Sequence, residues 1–151
     1  MSLLTIKVFI NALETSQEVT ELVDDRIWPV AVPGTDDEFL NTPLPYIVVG
    51  YSGPNNQPET KDDVWEGGVD REQVLVLFVA HTIDELADLE DKARQAIMDY
   101  FSSLSPGDAN YGLLPDNGLN IQGGDVEFTP WKPDYYHTLV YQCEQYRNYE
   151  Q

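Results

Sequence analysis

The stretch REQVLVLFVAHTIDELADLEDKARQAIMDYFSS, residues 71–103, decides the fold, because its hydrophobic period changes once along its length. From Arg71 to Ala80 an uninterrupted β-branched, aliphatic and aromatic run has the composition of a central strand buried on both faces. Beyond it Leu86, Leu89, Ala93, Ile97 and Phe101 descend one face of a helix. Thr82 and Glu85 stand at capping-box spacing and start that helix, which spans residues 83–103 and is stopped by Pro106 and Gly107. On its outer face Asp88 with Lys92 and Glu90 with Arg94 place an acid one turn before a base, the favourable order for ion pairs.

Working towards the N-terminus, Leu3, Ile6, Phe9, Ile10 and Leu13 recur at helical spacing and give an amphipathic first helix. Thr15 with Glu18 repeats the capping-box spacing, and Val19, Leu22 and Val23 form the apolar face of a second, short helix. Arg26 to Trp28 is a brief extended segment. Pro29, Pro33, Pro43 and Pro45 then remove backbone donors and disfavour helix, so a surface connector follows, pinned by Ile27, Trp28 and Phe39. Pro45 opens a strand, Tyr46 to Tyr51, whose apolar residues fall on both parities and ask for cover on both faces.

Residues 53–70 are polar, acidic and rich in glycine and proline, which reads as a loop or protruding hairpin. Towards the C-terminus, PDNG at 115–118 and Gly123-Gly124 mark turns before Val126 to Trp131. Asp134 to Arg147 forms the last strand, with Tyr135, His137, Leu139, Tyr141 and Cys143 on one parity and Tyr136, Thr138, Val140, Gln142 and Glu144 on the other. The expected fold class is α+β, a mostly antiparallel sheet with helices packed on one face, as a single-domain sandwich over residues 1–151.

The 151 residues suffice for a core that removes roughly 70% of the unfolded chain's surface from water. A net charge of -19, from 27 acids against 8 bases, is the strongest compositional fact. The bases lie far apart in sequence, so no basic stripe offers itself to a nucleic-acid backbone, and direct nucleic-acid binding is disfavoured. Thr5, Lys7 and Asn11 interrupt the apolar N-terminal stretch, which is read neither as a signal peptide nor as a membrane span. The single cysteine, Cys143, gives no intramolecular disulfide, and a cytoplasmic origin is the default expectation.

A thiol enzyme would need Cys143 beside a histidine. His137 shares its strand face six residues away, about 20 Å along an extended chain, and His81 reaches Cys143 only if the two strands run parallel. Asp36-Asp37-Glu38 and Asp62-Asp63, with Glu66 and Asp70, supply oxygen ligands but not the ordered spacing of an EF-hand. Gly67-Gly68 and Gly123-Gly124 lack the lysine of a phosphate loop, and no histidine pair has zinc spacing. No catalytic residue, cofactor or metal site is therefore assigned. Trp28, Trp65 and Trp131 suit packing or interface anchoring. Trp65 lies among Asp62, Asp63, Glu66 and Asp70, and those five residues form a candidate interaction loop.

Four stretches carry a resemblance: ELVDDRIWPV after a short helix, PLPYIVVGY as the next strand, EQVLVLFVAHTIDELADLEDKARQAIMDYF as strand then long helix, and DYYHTLVYQCEQYR as the closing strand. In that order the chain resembles the small tail-completion and tail-terminator proteins of long-tailed bacteriophages and prophages. The resemblance implies a structural, non-enzymatic subunit. It would form a homo-oligomeric ring, hexameric in expectation, at the junction of tail tube and head. Its partners would be tail-tube and head-connector proteins, and its location the host cytoplasm during assembly and then the virion tail. The segments 53–70 and 106–124 are longer than the resemblance leads one to expect. The competing readings are an acidic binding module, either a DNA-mimic decoy or a calcium-dependent binder, and a small hydrolase.

Overall fold

A computed structural model of the chain describes residues 4–57, 69–104, 114–115 and 121–146. In chain order the elements are α1 (Leu4–Glu14), α2 (Gln17–Val23), β1 (Ile27–Pro29), α3 (Asp36–Leu40), β2 (Tyr46–Gln57), β3 (Val69–Ala80), α4 (Ile83–Ser102), β4 (Leu114–Pro115), β5 (Ile121–Gly123), β6 (Glu127–Thr129) and β7 (Asp134–Tyr146). The class is α+β, and the strands form one sheet in the order β1-β2-β3-β7-β4, with β5 and β6 also pairing β7. Every pairing is antiparallel except β1 with β2, which runs parallel and sets Trp28 opposite Val48.

β3 is central, as its uninterrupted apolar run requires, and it pairs along its whole length with β7, from Val69↔Tyr146 to Ala80↔Tyr135. Strand alternation then sorts side chains to two faces. Ile47 and Val49 of β2, Val74, Val76, Phe78 and Ala80 of β3, and Leu139, Tyr141 and Cys143 of β7 join the main core under α1, α2 and α4. Tyr46, Val48 and Val79 point the other way and form a smaller cluster with Trp28, Val32, Leu44, Leu77 and Tyr136. The two apolar parities of β2 thus correspond to two faces, one packed under α1, α2 and α4 and the other partly covered by the proline-rich connector.

α4 follows its sequence pattern closely: the Thr82 hydroxyl accepts the Glu85 N–H at 3.1 Å, and Leu86, Leu89, Ala93, Ile97 and Phe101 are buried. Asp88 and Lys92 pair at 3.2 Å. Glu90 does not pair with Arg94; it turns inward to β7 and bonds His137 instead. The second helix starts one residue later than the capping-box reading has it. Ser16 is the N-cap, accepting from Val19, while the Thr15 hydroxyl donates to the carbonyl of Ala12 and belongs to the end of α1.

The connector contains a helix that its prolines obscure. Thr35 accepts the Glu38 N–H at 3.3 Å and opens the five-residue α3, whose acidic first turn, Asp36, Asp37 and Glu38, suits the positive end of a helix dipole. Gly34 precedes it at φ +108, in a conformation that favours glycine. The strands run further than the sequence reading has them: residues 53–57 belong to β2, which does not stop at Tyr51, and residues 69–70 belong to β3, the two strands pairing out to Gln57↔Val69.

Candidate functional site

The second face of the sheet is only partly covered, and a cleft of about 340 Å³ opens there. Tyr46 and Val48 from β2 and Leu77 and Val79 from β3 form its base by alternation, while Phe39 from α3 and Trp131 from the β6–β7 turn make its walls. The Trp131 ring lies 6.4 Å from that of Phe39 and remains 67% exposed at the mouth. Val30, another lining residue, is 71% exposed with φ at 68. Left-handed backbone is unfavourable for a β-branched residue, so the rim of the cleft carries local strain.

Inside the cleft lies a buried ion pair. Lys132 Nζ is 3.1 Å from Asp134 Oδ2, and both side chains are almost fully removed from solvent. The ammonium also sits 5.2 Å from the centre of the Phe39 ring and 5.5 Å from that of Tyr46, within cation–π range. Two desolvated charges persist only when each satisfies the other, and here the turn over residues 130–133 that joins β6 to β7 brings them together. Burial, and then the charge of Asp134, push the Tyr46 phenol up to about 12. The Tyr136 phenol, at the same cleft, is raised by its hydrogen bond to Glu127, then by burial and by the charges of Glu127 and Asp134. The cleft is therefore largely apolar, and the two opposite charges in its lining offset each other.

On the opposite face His137 is held from both sides, its Nδ1 2.6 Å from Glu90 Oε2 and its Nε2 2.7 Å from the carbonyl oxygen of Gly124. Both partners are acceptors, so the ring makes both bonds together only with a proton on each nitrogen. The turn must come close to allow this: a Cβ on Gly123 would stand 3.2 Å from His137 Nε2. The constellation ties α4, β7 and the β5–β6 turn together, and neither ring nitrogen is turned towards a nucleophile.

The antiparallel register keeps the thiol away from both histidines. Cys143 lies opposite Glu72, whereas His81 follows Ala80 at the far end, which lies opposite Tyr135. Asp36, Asp37 and Glu38 are accounted for by the first turn of α3. Among the described residues no three His, Cys, Asp or Glu side chains gather as a metal site. No described helix is long and apolar enough to cross a membrane. Of the candidate interaction loop, Asp62, Asp63, Trp65 and Glu66 lie outside the described residues, as do PDNG beyond Pro115 and the Pro106-Gly107 stop. Asp70 falls within β3, its backbone paired with Asn56 and Gln145.

The sequence reading gave no role to Lys132, Asp134 or Val30. A lysine and an aspartate bracketing a proline inside the aromatic run WKPDYY, residues 131–136, is the signal that could have found the pair.

The fold is similar to that of a chain in the virion of a native gene transfer agent (GTA) particle, with a TM-score of 0.57 and 11% sequence identity over 94% of each chain. No family model and no curated protein matches the sequence.

Proposed function

We propose that this chain is a structural subunit of a phage-type virion, a tail-terminator or tail-completion protein that forms a hexameric ring where the tail tube meets the head. The observation that carries this reading is the shared fold along nearly the whole of both chains with a protein of a gene transfer agent virion. The order of short helix, proline-rich connector, strand, strand, long helix and closing strand agrees with it. The subunit works by binding and not by catalysis, its partners being further copies of itself, the tail tube and the head connector. The candidate interaction loop, with Trp65 among Asp62, Asp63, Glu66 and Asp70, is one of its contact elements.

The acidic charge then has a physical use. Duplex DNA carries one charge per roughly 1.7 Å, and a ring lumen of the same sign keeps passing DNA from adhering. Screening confines that effect to side chains within about 8 Å of the DNA at physiological salt.

Deleting the gene in its native context tests the reading by electron microscopy of the particles. Tails of uncontrolled length that fail to join heads are expected. Headed particles with tails of normal length would contradict it.

A further inference from the structure

We propose that the cleft on the second face of the sheet is a docking pocket for an apolar side chain presented on a basic segment of another protein. The inference stands on the cleft alone, whichever assembly the chain serves. The base of the pocket is apolar, from Tyr46, Val48, Leu77 and Val79, and its volume of about 340 Å³ lies at the lower end of the range in which ligand pockets occur. Its one lining base, Lys132, is already neutralised by Asp134, so the interior offers no net charge to a ligand and selects an uncharged, apolar tip. Trp131 stands exposed at the mouth, the residue type most often found where binding energy is concentrated. Val30, 71% exposed at the rim with φ at 68, adds an apolar side chain there.

Charge decides what carries the tip. α3, which supplies Phe39 to the wall, presents Asp36, Asp37 and Glu38 to solvent, and Glu127 sits beside Tyr136 on the other side. Exposed carboxylates thus neighbour the lining residues Phe39 and Tyr136 on a chain of net charge -19, and lysines or arginines flanking the inserted side chain meet complementary potential. A second copy of this chain would bring a like net charge to the same rim, which disfavours it as the occupant.

Three synthetic peptides test the proposal against the full-length, isotope-labelled protein: a central phenylalanine flanked by lysines, the same phenylalanine flanked by glutamates, and a central serine flanked by lysines. The lysine–phenylalanine peptide should shift the methyl signals of Val48, Leu77 and Val79 and the indole signal of Trp131. It should bind at least about tenfold more tightly than either control and weaken several-fold as salt is raised. Trp131→Ala should weaken it by about fivefold or more. Asp36→Asn with Asp37→Asn, exposed changes outside the pocket lining that remove the charge without placing bases at the start of α3, should weaken the preference for basic flanks while phenylalanine is still taken. The proposal is overturned by equal binding of the two phenylalanine peptides, by shifts that map away from the cleft, or by no shift at millimolar peptide. It is also overturned if the cleft signals are already lost to self-association, which would make a second copy the occupant.

Discussion

Tyr141 puts a whole phenol into the main core, edge-on to Phe9 with ring centres 5.5 Å apart, and its hydroxyl has no hydrogen-bond partner among the described residues. A buried, unsatisfied hydroxyl costs about 1–3 kcal/mol. Tyr141→Phe should therefore leave stability unchanged or raise it by about 1 kcal/mol, measured by urea unfolding at neutral pH. The same burial raises the Tyr141 phenol above its ordinary value, as burial also does for Tyr46. A raised folded value means that the unfolded chain loses its proton first. Stability is then fully present below about pH 10 and falls as pH rises through 10 towards 12. Unfolding at pH 11 should come at lower urea than at pH 8, and Tyr141→Phe should narrow the difference.

His137 is the other residue on which local order depends, since its two bonds join α4 to the β5–β6 turn. His137→Ala should cost about 1.5–3 kcal/mol, the range for hydrogen bonds to a charged group. Gly123→Ala should lower stability as well by crowding the ring, and an unchanged melting point in either variant would show that the clamp contributes nothing. The strand alternation that places Tyr141 and His137 on the core parity was legible in the sequence. Their bonding was not, because Glu90 and His137 meet across 47 residues.

At the scale of elements, legibility followed length and periodicity. α4 and β3 repeat their patterns over several turns or pleats, so one misjudged residue does not change the reading, and both stand where the sequence puts them. α3 has a single turn, too short for any period. Its signature was only the Thr35 to Glu38 spacing and a preceding glycine, hidden among prolines. The capping-box spacing pointed to Thr15, but Thr15 turns back to close α1 and its neighbour Ser16 caps α2. The glutamate of Glu90-Arg94 was claimed by a tertiary partner over a surface pairing worth only a few tenths of a kcal/mol. Leu89 is fully buried on α4, and Leu89→Ala should destabilise by about 2–5 kcal/mol. Thr82→Ala, which removes the cap of the same helix, should cost about 0.5–2 kcal/mol. Chemical denaturation checks both, and a Leu89→Ala cost near zero would mean that α4 does not pack on the sheet as described.

For the whole molecule the charge of -19 opposes self-association, so a ring of this chain must be held by apolar and hydrogen-bonded contacts. Added salt screens the repulsion and strengthens apolar association, and it should favour the ring. If the candidate interaction loop is one of the contacts, Trp65→Ala should shift assembly to higher protein concentration. The cleft, by contrast, is the surface feature that sequence reading missed. Its charged pair is buried where a lysine and an aspartate are ordinarily taken to be solvated, and only the fold brings Phe39 and Tyr46 around them. The most direct test of the central claim is native mass spectrometry of the full-length protein across concentration and salt. A closed oligomer of uniform size, six copies, is expected to grow with both, whereas a monomer at every concentration and salt would contradict a self-assembling ring.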